Sequence, residues 1–241
     1  MSGTVRLPAE RVRWLLRGAL AAASRDDVTP VLTAVHWTVG DGRVTVTTTD
    51  RYRVHQLCVP APAGTPDGAF LMSRHQAELL KQWGHGKARS RPLEVVDLTW
   101  TDPEAGKLVP GERVTRRHVG TVQFDIWEFD GSDADRMTHL SDQVRGNFPP
   151  VARLFDQFTD TKDEPRAAEL ALNPEFLSAT RHLREAPGDP LRVMMPSASE
   201  RDTSETGGSS LRPLVVMNFH GTARALIQPN LALRVGAEFG A

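Results

Sequence analysis

The sequence of 241 residues has almost no cysteine and no long apolar run. Its one cysteine, Cys58, cannot form a disulfide within the chain, and no apolar stretch follows a basic N-terminal segment as in a secretory signal. No window approaches the ~18 uninterrupted apolar residues that a membrane-spanning helix needs. We therefore expect a soluble, cytoplasmic protein that does not cross a membrane.

Sequence motifs for metal binding, nucleotide binding and catalysis are also missing. The eight histidines never fall at the spacing of zinc ligands, and Cys58 has no second cysteine to join it. Phosphate-binding glycine loops and a nucleophile elbow are absent from the sequence. A Ser-His-Asp site assembled only in three dimensions stays open, but we expect no enzyme activity, no cofactor and no metal.

Excess charge of one sign is lacking too, because 29 Lys and Arg residues nearly balance 30 Asp and Glu residues. The balance excludes a polycation, but the charges are unevenly distributed along the chain. Phe124 to Asp142 carries six acidic residues and a single basic one, Arg136. A protein that meets a phosphate backbone needs positive charge only on the facing surface. Nucleic-acid binding is therefore compatible with the composition.

Hydrophobic residues make up 39% of the sequence, enough to fill a sizeable core. Apolar residues recur at helical spacing across Pro8 to Ser24, after a short alternating stretch from Thr4 to Leu7. Two segments rich in Val and Thr follow, Val31 to Val39 and Arg43 to Val59, and the Asp41-Gly42 pair between them predicts a tight hairpin. The predicted order is strand, helix and several strands.

The same order occurs twice more along the chain. A second unit opens with the predicted strand Gly68 to Met72 and a helix capped by Ser73. A third opens with the predicted strand Ala168 to Leu172 and a helix capped by Asn173, with Pro174 in its first turn. The strands predicted after these two helices are Pro92 to Trp100, Arg113 to Phe129, Leu191 to Met195, Leu214 to Phe219 and Ala223 to Gln228.

Three such repeats predict an α+β protein of β-α-β-β-β units, with antiparallel sheets and the helices on one face. Asp130 to Glu164 is predicted to be an irregular linker or crossover, and Glu200 to Ser210 a mobile loop. Trp14 falls near the middle of the polar face of the first helix. The pattern leaves open whether it packs on another strand or on another chain.

Three segments resemble the bacterial β sliding clamps, the DNA polymerase III beta subunits. Thr47-Thr48-Thr49-Asp50-Arg51-Tyr52-Arg53-Val54 resembles the clamp's Thr-Asp-Gly-His-Arg-Leu stretch, and Asn147 to Leu154 resembles its Phe-Pro-Asp-Tyr segment. Ala225-Leu226-Ile227-Gln228-Pro229-Asn230-Leu231 resembles its C-terminal Met-Pro-Met-Arg-Leu. The segments occur in the family's order, and the resemblance runs from about Thr4 to Leu233.

The resemblance implies the DNA clamp fold, in which two units pair into a domain. By this match residues 1–158 form one complete clamp-like domain of two units, and residues 159–241 form a partial C-terminal domain of one unit. An odd unit would leave strand edges and an apolar helix face exposed. We therefore expect a homo-oligomer in which two chains complete each other through their third units.

The resemblance also implies a groove that takes short peptides from polymerases, loaders and repair proteins. Carried over residue by residue, it nominates Thr49, Arg51, Tyr52, Arg53, Val54, Pro149, Arg153, Leu154, Gln228, Pro229 and Asn230. Gln228 and Asn230 replace two methionines of the family pattern, so we expect a more polar groove than in the clamps. The alternative is that these are ordinary hairpin, linker and edge-strand residues.

Basic residues on the first two predicted helices are candidates for double-stranded DNA. They are Arg11, Arg13, Arg17, Arg74 and Lys81. Such contacts with phosphates would be salt-sensitive and independent of base sequence, as a DNA-encircling protein requires. The function that the resemblance implies is a processivity or recruitment factor in DNA replication. The alternative is a clamp-derived interaction or regulatory module that binds a protein partner and does not encircle DNA.

Overall fold

A computed structural model of the chain describes residues 2–83, 94–102, 119–130, 133–159, 172–195 and 213–229. The strands in these ranges are β1 (Gly3–Pro8), β2 (Val35–Gly40), β3 (Arg43–Thr49), β4 (Arg53–Pro60), β5 (Gly68–Met72), β6 (Glu94–Thr101), β7 (Thr121–Asp130), β8 (Asp133–Asp142), β9 (Leu191–Met194), β10 (Leu214–Asn218) and β11 (Ala223–Ile227). The helices are α1 (Ala9–Leu20), α2 (Pro30–Thr33), α3 (Arg74–Gln82), α4 (Ala152–Thr159) and α5 (Pro174–Ala179), followed by a 3-10 turn (Thr180–Leu183).

Some sequence predictions lie wholly or partly outside the described residues. They include the loop Glu200 to Ser210, the strand Ala168 to Leu172 up to its last residue, the first residues of the strands predicted from Pro92 and from Arg113, and the groove residue Asn230. None of the helices in the described part of the chain is long and apolar enough to span a membrane.

The strands form two antiparallel sheets, which confirms the predicted fold class. One sheet has the order β1-β6-β7-β8, and the other has the order β5-β2-β3-β4-β11-β10-β9. The first two units exchange their opening strands, because β1 pairs with β6 of the second unit and β5 pairs with β2 of the first. The strands of the third unit continue the sheet of the first through the β4–β11 pair.

Turn and cap chemistry place the elements as the sequence predicts. Asp41 and Gly42 both take positive φ, 52° and 69°, as the two central residues of a tight hairpin turn require. The Ser73 side chain accepts a hydrogen bond from the backbone N–H of Gln76, and the Asn173 side chain accepts one from Glu175. The predicted strand from Val31 begins only at Val35, because Pro30 instead starts the short helix α2.

The prediction of an irregular linker from Asp130 to Glu164 is wrong. This stretch contains the ten-residue strand β8 and the amphipathic helix α4. β8 lies at the edge of its sheet, and its residues from Arg136 to Asp142 alternate between exposed and half-buried positions. An edge strand of that kind carries too little apolar periodicity to be recognised in a sequence.

The prediction that all helices lie on one face of the sheets is also wrong. Along β4, His55 and Leu57 face α1, whereas Val54 points to the opposite side of the sheet and packs in a cluster with Phe155 of α4. α4 therefore covers the face that α1 leaves open. The physical reason is that Val54, Val215 and Leu226 form an apolar surface on that face, against which Phe155 packs.

Close packing of α1 on β4 depends on a glycine and a buried histidine. A Cβ atom on Gly18 would lie 2.5 Å from a methyl carbon of Leu57, so only glycine permits this approach. The carbonyl of Gly18 accepts a 2.8 Å hydrogen bond from Nδ1 of His55. His55 is fully buried, and its Nε2 has no hydrogen-bond partner among the residues that the structure describes. Burial, above all, lowers the pKa of the His55 imidazole to about 4.

We expect His55 to make the fold sensitive to acid. Above pH 6.5 the His55 imidazole is neutral in both the folded and the unfolded chain. As the pH falls below 6.5, His55 becomes protonated in the unfolded chain before it does in the folded chain. Stability is therefore lost as pH falls from 6.5 to about 4, by up to about 3 kcal/mol. Urea unfolding between pH 7.5 and 4 measures the slope, which His55→Gln should flatten.

The exposed His75 supplies the matched control, because His75→Gln removes a histidine without touching the α1–β4 contact. Equal slopes for wild type and His55→Gln would contradict the assignment.

Candidate nucleic-acid interface and peptide groove

The third unit lies directly against the first, and this contact builds the candidate site. β11 pairs with β4 from Ala223 opposite Leu57 to Ile227 opposite Arg53. Above the sheet, the indole N–H of Trp14 on α1 donates a 2.9 Å hydrogen bond to the carbonyl of Arg184. Trp14 is buried although it stands on the polar face of its helix. It packs on another unit of the same chain.

Basic side chains from three elements converge where α1, α3 and the 3-10 turn meet. A concave surface of about 620 Å³ is lined by Arg17 of α1 and Lys81 of α3, among other residues. An adjoining one of about 290 Å³ shares Arg17 and adds Arg181 and Arg184. His182 is surrounded by these four cations; burial first, and then their charges, lower the pKa of its imidazole. We call Arg17, Lys81, Arg181 and Arg184 the basic cluster.

The other three nominated arginines, Arg11, Arg13 and Arg74, each form a salt bridge with a glutamate. Arg11 forms a 2.7 Å salt bridge with Glu185, and Arg13 forms a 2.8 Å salt bridge with the buried Glu94. Burial alone would raise the pKa of the Glu185 carboxyl, but hydrogen bonds from Arg11 and Thr222 lower it overall. Arg11 and Arg13 therefore contribute less net positive field than Arg17 does.

Arg74 is held at the end of the first helix rather than directed outward. Its guanidinium forms a 2.9 Å salt bridge with Glu78 and donates hydrogen bonds to the carbonyls of Ala23 and Ser24 at 3.2 and 3.1 Å. The two carbonyls lie just beyond the C-terminus of α1, where a cation is favourable. Arg74 thus joins α3 to α1.

The first nominated groove segment forms a tight turn between β3 and β4. The Asp50 carboxylate accepts hydrogen bonds from the backbone N–H groups of Tyr52 and Arg53 and from the Arg53 side chain. The Thr49 hydroxyl donates to the Arg53 carbonyl at 2.8 Å. Arg51 has φ of 81°, a left-handed conformation that is uncommon for residues other than glycine. Its guanidinium donates to the hydroxyl of Thr29.

The residues of this segment separate onto opposite faces of the sheet. Arg53 lies over the ring of Phe176 on α5 at 4.4 Å from its centroid, and the Tyr52 ring stacks on Phe176 at 6.4 Å. Arg51, Tyr52 and Arg53 line a polar cleft of about 820 Å³ between the end of α1 and α5. Val54 faces away from this cleft. The structure therefore does not bring all of the nominated residues into one groove.

The apolar part of the nominated groove lies on the outer face of the seven-stranded sheet. Its sheet residues, which we call the outer patch, are Val54, Met194, Val215, Met217 and Leu226. The helix α4 presents Leu154, Phe155 and Phe158 to this patch, and Val151 just before the helix continues the same face. Phe155 is fully buried, and the Arg224 guanidinium lies 4.3 Å from its ring centroid. The chain's own helix thus covers the patch.

The remaining nominated residues surround α4 and the end of β11. Pro149 precedes α4, and Arg153 is exposed on its outer side, whereas Leu154 belongs to its buried side. The backbone N–H of Gln228 donates to the carbonyl of Tyr52 at 2.8 Å, which ties the chain after β11 to the turn before β4. Pro229 is buried.

Sequence reasoning missed the residues that give the two faces their character. Phe155 and Phe158 fell within the presumed linker, although Val151, Leu154, Phe155 and Phe158 keep helical spacing and could have revealed α4. In the sequence, Arg181 and Arg184 stand close to Glu175 and Glu185, a spacing that predicts that the charges offset one another. In space Glu185 instead pairs with Arg11. No signal in the sequence could have shown that pairing.

No protein-family model matches the sequence, and no curated protein matches it either. Solved structures do match, among them the beta subunit of the Streptococcus pyogenes DNA polymerase, the DNA polymerase sliding clamp of Bacillus subtilis and the DNA polymerase III subunit beta of Pseudomonas aeruginosa. Their TM-scores are 0.58, 0.54 and 0.56, at 11%, 15% and 14% identity, and the matches cover 94%, 95% and 94% of this chain. The chain has the sliding-clamp fold. At this identity the similarity establishes the fold alone.

The match spans less than two thirds of these sliding clamps, 65%, 64% and 65% of their respective lengths. Within the described residues, no group of His, Cys, Asp and Glu side chains is arranged to hold a metal ion.

We expect Phe155 to contribute strongly to stability, because it is fully buried between α4 and the outer patch. Phe155→Ala should lower the free energy of unfolding by about 3–5 kcal/mol. Gln157→Ala, on the exposed side of the same helix, should change it by less than about 0.5 kcal/mol. Chemical denaturation measures both, and a loss below about 1 kcal/mol for Phe155→Ala would show that α4 is not seated on the sheet.

Proposed function

We propose that this protein is a clamp-like factor that holds duplex DNA and docks short peptides of polymerase, loader or repair proteins. The observation that carries the DNA part is the basic cluster. Its cations come from α1, α3 and the third unit, and they line two adjoining concave surfaces that share Arg17. Cations that converge from separate elements create a local positive field even in a chain with net charge of −1.

The chemistry of this surface suits contacts with phosphates rather than with bases. Arg17 and Arg181 are exposed, and Lys81 is half-buried beside them. Guanidinium and ammonium groups contact phosphates regardless of base sequence, and such contacts allow a protein to move along a duplex. We further propose that the chain acts as a homo-oligomer, as a protein that surrounds a duplex would need to.

For the DNA test, Arg17→Glu combined with Lys81→Glu should weaken binding of a fluorescein-labelled 30-base-pair duplex by roughly tenfold or more near 0.1 M salt. The slope of log affinity against log salt should fall by about two, because two phosphate contacts are lost. Fluorescence anisotropy measures both quantities over a salt series.

Arg43→Glu combined with Arg145→Glu is the matched control, because these exposed arginines lie outside the basic cluster and the net charge changes equally. Equal weakening by the two double variants would remove the cluster from the interface. If the wild-type protein binds no duplex at low salt, the alternative of a protein-binding module that does not encircle DNA replaces this proposal.

For the peptide part, we propose the outer patch as the docking surface. An amphipathic segment laid on apolar side chains is a common mode of peptide recognition, and Met194 and Met217 suit an adaptable surface. α4 occupies the patch in the chain itself, so a partner peptide has to displace this helix. The sequence of α4 is therefore a defined probe for the surface.

A labelled peptide with the sequence of residues 149–159 should bind a Phe155→Ser and Phe158→Ser variant, whose own helix no longer fills the patch, and should not bind the wild type. The same peptide with both phenylalanines replaced by serine is the control ligand. Adding Val54→Asp to the variant should abolish binding, because it places a charge in the patch. Circular dichroism verifies that each variant is folded. A folded variant that ignores the peptide would mean that the patch is no docking surface.

A further inference from the structure

The outer face of the seven-stranded sheet has a polar half beside the outer patch. Three of its residues lie opposite one another on β2, β3 and β4, and they are Thr38, Thr45 and Cys58. On the same face, Gln56 of β4 lies opposite Arg224 of β11. Leu57, between Gln56 and Cys58, faces the core under α1, so its two neighbours point to the side on which α4 packs.

A cavity of about 350 Å³ opens onto this polar half of the sheet. Among the described residues, those that line it come only from strands and from the turn between β10 and β11, and none of them is Asp or Glu. The concave surfaces of the basic cluster, by contrast, include Glu185, and the cleft beside α5 includes Glu175. We call this cavity the arginine cavity, after Arg43 and Arg224, which line it.

Neither arginine of this cavity has a carboxylate partner in the described part of the chain. Arg43 is exposed at the start of β3, and its side chain forms no hydrogen bond or salt bridge with another described residue. Arg224 is half-buried and donates through Nε to the amide oxygen of Gln56 at 2.8 Å. Its two Nη groups have no hydrogen-bond acceptor among the described residues. Both guanidinium groups are therefore available to a ligand.

The environment of Arg224 favours an anion in the cavity. Burial, above all, lowers the pKa of the Arg224 guanidinium, while the charges of Asp156 and Cys58 oppose this. A partly buried cation without a salt bridge is stabilised by a negative group placed beside it. The hydroxyls of Thr38 and Thr45 add neutral donors, since neither forms a hydrogen bond with another described residue.

We propose that the arginine cavity binds the phosphate group of a small molecule. A phosphate monoester carries close to two negative charges and three acceptor oxygens, so separate arginines and hydroxyls can share it. A carboxylate has one charge and two oxygens, which a single arginine satisfies in a bidentate pair. The volume lies within the range of roughly 300–1,000 Å³ that small-molecule sites occupy.

This site is separate from the DNA surface and adjoins the outer patch. The basic cluster lies on the α1 side of the seven-stranded sheet, whereas Cys58 and Arg224 face the α4 side. Arg224 also contacts the ring of Phe155, which fills the outer patch. The inference therefore goes beyond the proposed function and does not depend on it.

Cys58 gives the site a native reporter, because it is the chain's one cysteine and lies in the arginine cavity. Inorganic phosphate and ribose 5-phosphate should each slow alkylation of Cys58 by uncharged iodoacetamide, by about fivefold or more at saturation, because a bound ligand blocks access to the thiol. Mass spectrometry measures the rate, with sodium chloride added to equalise ionic strength. Tighter binding of ribose 5-phosphate would identify a phosphate ester as the ligand, and equal binding would identify free phosphate.

Arg43→Gln should raise the dissociation constant of both ligands by about tenfold or more, because it removes a charged hydrogen-bond donor. The exposed position of Arg43 lets this variant keep its fold. Arg145→Gln, also at an exposed position and outside the cavity, changes the net charge equally and should leave the dissociation constants unchanged.

The inference would be overturned if neither ligand protected Cys58 at about 10 mM, far above the dissociation constant of a specific site. Protection that survives Arg43→Gln, or equal protection by acetate, would also overturn it. A 30-base-pair duplex should leave the alkylation rate unchanged. Protection of Cys58 by the duplex would mean that this face belongs to the DNA surface and is no small-molecule site.

Discussion

The pairing of β4 with β11 is the interaction on which the rest of the structure depends. It joins the first unit to the third, with Val54 opposite Leu226. The result is one seven-stranded sheet. On one face of that sheet, the junction brings the 3-10 turn beside α1, so that Arg181 and Arg184 reach Arg17. On the other face it joins Val54 to Val215 and Leu226, and so makes a patch wide enough for a helix. Both candidate interfaces therefore depend on a single ladder of backbone hydrogen bonds.

The two faces of the seven-stranded sheet are covered by helices of different length and burial. On the α1 side the cover is part of the main core, because Gly18 allows contact with Leu57 and the buried His55 donates a hydrogen bond to the Gly18 carbonyl. On the α4 side the cover is one short helix that depends on Phe155 and its apolar neighbours. A cover of eight residues can separate from a sheet at lower cost than a twelve-residue helix that is part of the main core. The face with the weaker cover is the one on which we propose that partner peptides dock.

Elements with strong local chemistry could be predicted from the sequence, and relations between units could not. The Asp41-Gly42 turn, the Ser73 and Asn173 caps and the strand from Gly68 to Met72 follow from short-range rules and are confirmed. β8 escaped prediction because an edge strand needs little apolar periodicity. The groove residues were nominated as one set, but alternation along β4 sends Arg53 and Val54 to opposite faces. The charge balance of Arg11 was hidden because Glu185 is distant in the sequence.

The seven-stranded sheet also sets an order of events during synthesis of the protein. β4 leaves the ribosome long before β11, because the two strands are far apart in the sequence. Leu57 therefore waits for its partner Ala223 until most of the chain has been made. During that interval the first unit has an unpaired edge and an uncovered Val54, which are the features that promote contact between nascent chains. Contacts between residues this far apart also slow folding. A chaperone would therefore have most to protect during the interval between the synthesis of β4 and that of β11.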